Sequence, residues 1–189
     1  MTDSRSVEDR LRAEYFELQP EIRRTVLETE TRIRHLLLPM MPALKRDERI
    51  LVTSRVKDCE SAVDALRRRQ ELGRFDSDEP QAYTLTTLRD LAGVRVMVFP
   101  RKKIDDVHTV LRDILNEWTA DHIPEVAGEA EPLALKYFGN WAGAGRVVAE
   151  IQIVSLLIGL FWEVEHSAIY KPDPKLQGVA RSLVMMDRR

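Results

Sequence analysis

Three short stretches of this chain set polar side chains on or beside apolar runs, and each combination suits the handling of phosphate. Arg55 and Lys57 lie two apart at the exit of Ile50–Val56, so they point to one side of a strand. Ser61 follows four residues later, in the first turns of the next helix. Two cations and a hydroxyl near a helix N-terminus offer a polyphosphate positive charge, a donor and a favourable dipole. The same spacing also describes a surface charge pair and a helix cap. Asp90 and Arg95 stand at the mouth and in the middle of Leu-Ala-Gly-Val-Arg-Val-Met-Val, costly charges for a core element. Glu150 and Gln152 share one face of a third apolar run. Asp90 and Glu150 come from different strands, and two carboxylates of that kind are the hard oxygen ligands that Mg²⁺ prefers. Linear spacing leaves their convergence open.

The elements that must position these residues are legible in the hydrophobic period. Val7, Leu11, Tyr15 and Leu18 recur at helical spacing. Gln19-Pro20 interrupts that helix, and Pro20 suits the first turn of a second one running to about Leu38. Ile50–Val56 reads as a strand, Cys59 to about Leu72 as a helix, and 73–80 as an acidic turn. The β-branched run Val94–Val98 predicts a buried strand, with Gly93 before it allowing close backbone approach. A helix from about Ile104 to Trp118 carries Val107, Leu111, Ile114, Leu115 and Trp118 on one face. Between Asp121 and Gly145 periodicity is weakest, with Leu133–Phe138 the one strand expected there. Arg146–Val154 predicts a strand, and Leu156 to about Tyr170 a helix stopped by Lys-Pro-Asp-Pro. The order of helices and strands predicts an α+β or mixed α/β layer fold with one sheet.

The whole-chain properties narrow the function. Its 189 residues suffice for one domain with a core and a helical extension, 44% hydrophobic and 32% charged. Lys and Arg number 29 against 31 Asp and Glu, a balance that argues against a protein built mainly to coat nucleic acid. A single cysteine, Cys59, forms no internal disulfide, and the polar N-terminus lacks a signal peptide, so a cytoplasmic location is expected. The most apolar stretch, Ile151–Val164, is too short to span a bilayer and contains Gln152 and Glu163, so no membrane role is expected.

Taken together, Arg55-Val-Lys57 with Ser61, then Asp90-Leu-Ala-Gly93-Val-Arg95, then Glu150-Ile-Gln152, then Glu165-His166 with Tyr170-Lys171, resemble the synthetase domain of the RelA/SpoT family. The four blocks stand in the family's order and cover roughly residues 50–172. The resemblance implies a nucleotidyltransferase-like mixed β-sheet flanked by helices, with a helical extension over 1–45, the synthetase domain over 46–175 and a tail over 176–189. It implies transfer of pyrophosphate from ATP to the 3′-hydroxyl of GDP or GTP, giving ppGpp or pppGpp and AMP in a stringent response. On it, Arg55 and Arg95 stack on adenine, Lys57 and Ser61 hold the ATP phosphates, Asp90 and Glu150 bind Mg²⁺ and act as the catalytic carboxylates, and Gln152 has a supporting role. Small family members often form homo-oligomers.

The departures bear on the acceptor. Where the family carries a lysine after the serine, this chain has Ala65, with Arg67–Arg69 close by. The Tyr-x-Ser-x-His motif that stacks the acceptor guanine is absent; the nearest stretch is Tyr137-Phe-Gly-Asn-Trp141, which makes Tyr137 and Trp141 the candidate stacking aromatics. Alternatives to alarmone synthesis are therefore the same ATP half-site serving another acceptor, such as the 3′ end of tRNA, or an inactive nucleotide-binding regulator. Glu163 and His166, three apart on a helix, have no second such pair to complete a bundle metal site, and His166 is read as a packing residue.

Overall fold

The first element is a single helix, α1, over Val7–Leu37, and Pro20 lies inside it. This corrects the expectation of two helices broken at Gln19-Pro20. A proline in a helix interior costs about 3 kcal/mol. Leu18 and Ile22, on either side of it and one turn apart, are both completely buried. Burial of two such side chains contributes roughly 3–6 kcal/mol, enough to keep the helix continuous across the missing N–H. A 3₁₀ segment, Leu38–Ala43, with prolines at 39 and 42, ends it.

The structure is a computed structural model and describes residues 7–71, 83–116, 118–124, 132–141 and 145–168. After α1 come β1 (Arg49–Val56), α2 (Cys59–Glu71), β2 (Ala92–Phe99), α3 (Ile104–Leu115), β3 (Thr119–Pro124), β4 (Pro132–Gly139), β5 (Ala149–Ser155) and α4 (Leu156–Ala168). The strands form one sheet in the order β1-β2-β5-β4-β3. This is the α+β architecture expected, with helices flanking a sheet and a long N-terminal helix. The lead-in 1–6, the acidic turn 73–80 and the tail 176–189 lie outside the described residues.

Burial follows strand position. β1, at one edge, buries Ile50 and Val52 and exposes Leu51 between them. β2 and β5, inside the sheet, are buried over nearly their whole length, as a strand covered on both faces must be. β1 runs antiparallel to β2: the Lys57 N–H donates to the Leu91 carbonyl (3.0 Å), and Arg55 lies against Gly93.

Three boundaries differ from expectation. α3 stops at Leu115, where the Trp118 N–H turns back to the Leu115 carbonyl (2.9 Å). β3 was not expected, since its sequence carries no alternation. β5 begins at Ala149 rather than Arg146, because the N–H groups of Arg146 and Val147 bond to the Glu21 carboxylate instead of a ladder partner.

The chain packs as two compact units. Unit 1 comprises Met1–Glu30, Ser54–Val94 and Phe138–Glu150. Its buried side chains include Leu11, Tyr15, Leu18, Ile22, Leu66, Leu88 and Val147. Unit 2 comprises Thr31–Thr53, Arg95–Tyr137 and Ile151–Arg189. In it Met97, Ala134, Val154 and Ile158 form one buried cluster, with Leu156 and Trp162 against it.

Candidate functional site

In unit 1 the turn between β1 and α2 is built by its own backbone. Asp58 occupies the N-cap of α2, its Oδ1 accepting the Ser61 N–H (2.9 Å). The Ser61 hydroxyl, then its N–H, hold the Asp58 carboxyl below the usual aspartate range. Lys57, just before the cap, is fixed at both ends of its peptide. Its N–H reaches Leu91, and its carbonyl accepts the Tyr15 hydroxyl (2.8 Å) from α1. The ammonium is thereby delivered to Asp90, with Nζ 2.5 Å from Oδ2. Lysine and aspartate side chains are 15% and 30% exposed, so the pair is partly shielded yet open to a ligand.

Asp90 stands in the turn before β2, not on the strand. Three residues on, Gly93 performs the role its sequence suggested. A Cβ there would stand 3.2 Å from Arg55 Cγ and 3.4 Å from Nε, so the bare Cα lets the arginine stem lie across β2. Arg55 is exposed. Glu150, the second residue of β5, is buried at 3% exposure. Unit 1 thus contains Arg55, Lys57, Ser61, Asp90 and Glu150, with the two carboxylates at the starts of hydrogen-bonded neighbours β2 and β5. Among the described residues no group of three or more His, Cys, Asp or Glu is arranged as a metal cage. Mg²⁺ bound with a nucleotide takes one or two carboxylates, the rest of its shell being phosphate and water, and the donor set Asp90 plus Glu150 fits that chemistry.

The Tyr137–Trp141 stretch divides between the two units. Trp141, in unit 1, is half-buried and its indole N–H donates to Thr29 Oγ1 on α1 (3.0 Å). Its neighbour Asn140 donates from Nδ2 to the Val147 carbonyl (3.0 Å). Phe138 lies under the Arg89 guanidinium, 5.7 Å from the ring centroid.

In unit 2, Arg95 is 9% exposed and its guanidinium is closely held. Nε donates to Gln152 Oε1 (3.0 Å), and Nη1 donates to the Gly159 carbonyl (3.3 Å) and lies 3.9 Å from the Glu163 carboxylate. Its carbon centre sits 5.3 Å above the Trp162 ring. A buried charge needs this company, and the Arg95–Gln152 pairing is one the sequence had not joined. Tyr137 is buried at 6%, its hydroxyl bonded to His108 Nε2, and burial pushes its pKa up. The side chains of Glu165 and His166, and the residues Tyr170 and Lys171, lie outside the described residues.

The sequence gives no functional signal for Glu21, Arg89 or Phe138, and Trp162 reads most simply as core; the partner of each is far along the chain.

No family model matches the sequence, and neither does any curated protein. Solved structures do match. The chain is similar to the small alarmone synthetase 1 from Bacillus subtilis bound to AMPCPP, with a TM-score of 0.64 and 21% identity over 93% of each chain. The same synthetase bound to its product pppGpp gives a TM-score of 0.63 and 20% identity, over 93% of this chain and 94% of that one. A GTP pyrophosphokinase family protein from Streptococcus pneumoniae gives 0.62 and 23%, over 93% and 90%. The fold is the one these solved synthetase structures share. Within that fold, β1, the turn before β2 and the start of β5 carry the polar residues on which a function can be built. Among the described residues no helix is long and apolar enough to cross a membrane.

Proposed function

We propose that this chain transfers pyrophosphate from ATP to the 3′-hydroxyl of GDP or GTP, releasing AMP and forming ppGpp or pppGpp. The observation that carries the reading is a coincidence of pattern and fold. Three of the four polar blocks that resemble the RelA/SpoT order, those at Arg55–Ser61, Asp90–Arg95 and Glu150–Gln152, sit on a backbone similar to synthetases captured with AMPCPP and with pppGpp.

On this reading Lys57 and Ser61 hold the ATP phosphates and Arg55 lies along the adenine. Lys57 exchanges part of its hold on Asp90 for phosphate oxygen. Asp90 and Glu150 would hold Mg²⁺, which when bound neutralises polyphosphate charge. Glu150 also takes the proton of the attacking 3′-hydroxyl as the new O–P bond forms at the β-phosphorus; the bond between that phosphorus and the α–β bridging oxygen breaks, and AMP leaves with the oxygen. Such in-line chemistry needs positioning and charge neutralisation more than covalent help. In unit 2, Arg95 is assigned to adenine and Gln152 to the support of Arg95. Of the two candidate aromatics, half-buried Trp141 offers more ring to an acceptor base than buried Tyr137. A cytoplasmic site and a homo-oligomer belong to the same reading.

One observation favours a second reading: the family's acceptor motif is missing, as in a nucleotide-binding regulator without turnover or an enzyme with a tRNA acceptor. A single assay separates the three. Labelled ATP and Mg²⁺ are incubated with GDP, GTP or bulk tRNA in turn, and AMP is followed. AMP with guanine nucleotides alone supports the proposal. AMP with tRNA alone moves the acceptor, and ATP binding without AMP favours the regulator. Asp90→Asn and Glu150→Gln should each abolish turnover; activity retained in both would overturn the assignment of the carboxylates.

A further inference from the structure

We infer that Glu21, in the middle of α1, is a positioning residue for the acceptor side of the site, acting through the β4–β5 connection; this rests on the reading just given. On α1 the neighbouring charges Glu17, Arg23 and Arg24 are exposed, yet the Glu21 side chain is only 14% exposed. It is not buried idly. Oε1 accepts the N–H of Arg146 (2.7 Å) and of Val147 (3.3 Å), while Oε2 accepts Arg146 Nε (3.2 Å). Burial disfavours the charged form, but these bonds outweigh it and hold the carboxyl below its usual range.

The residues so gripped lead directly into functional ones. Val147 is buried and is two residues before Ala149, which opens β5, and three before Glu150. Its carbonyl takes the Asn140 side chain, and Asn140 precedes Trp141, itself tied to Thr29 two turns further along α1. The two sides of the connection are thus fastened to one helix at Glu21 and Thr29, and to each other at Asn140. The fit is close. A Cβ on Gly145 would stand 2.1 Å from Asn140 Nδ2 and 3.3 Å from Glu21 Oε1. Nothing about nucleotide binding at Arg55 or Lys57 requires this arrangement. Its consequence falls first on Trp141, the aromatic offered to the acceptor base, so loss of Glu21 should raise the KM for guanine nucleotide more than that for ATP.

The test uses Glu21→Ala, Glu21→Gln and Gly145→Ala in the full chain. AMP release gives kcat and both KM values, and titration with fluorescent N-methylanthraniloyl-GDP gives acceptor affinity without turnover. Three bonds to a carboxylate are removed in Glu21→Ala, so a loss of about tenfold or more in guanine affinity is expected. Glu21→Gln retains the acceptor oxygen for both backbone N–H groups and should recover most of the loss. Gly145→Ala should reproduce the defect from the loop side. Equal loss for ATP and guanine nucleotide, no rescue by glutamine, or unchanged guanine affinity in Glu21→Ala would each overturn the inference while leaving the proposed reaction standing. If the wild type releases no AMP, the proposed reaction fails. The inference then stands on the titration alone: weaker binding by Glu21→Ala supports it, and no binding by the wild type overturns it.

Discussion

Replacing Lys57 with methionine keeps the length of the stem and removes only the charge that reaches Asp90. The main-chain bonds of Lys57 to Leu91 and Tyr15 do not depend on its side chain, so the local backbone should persist. A charge-assisted hydrogen bond contributes roughly 1.5–3 kcal/mol net. With the aspartate side chain 30% exposed, water can re-solvate the widowed carboxylate, which points to the lower end of that range, about 1.5 kcal/mol. For a chain of 189 residues this corresponds to a fall of about 3–6 °C in Tm. The pairing itself is tested by a double-mutant cycle on Lys57→Met and Asp90→Asn, read by urea unfolding with unchanged m-values. The coupling should be about 1 kcal/mol or more. Independent sites add to within about 0.3–0.5 kcal/mol, so a coupling inside that margin would refute the pair and the reasoning built on it.

Three other perturbations follow from the same geometry. Asp58→Ala removes the cap of α2 and should cost about 1 kcal/mol at pH 7. Because the folded carboxyl is held below its ordinary 3.8, its contribution is complete above that value and fades as pH falls through the lowered one, so wild type and variant should converge in acid melts. Gly93→Val drives two methyl groups into the Arg55 stem; a rise of about tenfold in the KM for ATP is expected, with little change in Tm, and an unchanged KM would dissociate Arg55 from ATP. Arg95→Met leaves Gln152 Oε1 and the Gly159 carbonyl without this donor and should destabilise by about 3 kcal/mol, visible as a Tm drop of about 6–12 °C; a drop below 2 °C would show those bonds to be dispensable.

The hydrophobic period carried most of the secondary structure, because strands such as β2 and helices such as α3 declare themselves through residues that are in fact buried. It failed where a long-range partner overruled a local signal. Pro20 is a breaker by every local rule, and only the burial of Leu18 and Ile22 explains its place inside α1. Arg146 to Val148 reads as the start of the strand that follows it, yet its first N–H groups are captured by a carboxylate on α1. The polar residues followed the same division. Lys57, Asp90 and Glu150 drew notice because they interrupt apolar runs, whereas Glu21 sits among arginines and glutamates that face water and carries no mark of its burial. The pairing of Lys57 with Asp90 and of Arg95 with Gln152 was likewise invisible, since linear spacing does not state which strand ends are neighbours.

The partners of α1 also set a timetable for folding. Its side chains bond to residues 42 positions away at Lys57, 71 at Leu85, 112 at Trp141 and 125 at Arg146. The helix is made before these partners, and among the described residues the last of them emerges 110 residues after its end, from residue 37 to 147, a delay of about 5–20 s at ordinary elongation rates. Until then α1 is an amphipathic helix whose apolar stripe lacks its late-arriving partners, the condition under which nascent chains recruit chaperones or one another. Ribosome-bound chains stalled short of residue 147 should leave α1 open to protease and longer ones should protect it; early protection would mean that the helix docks without its distant clasp.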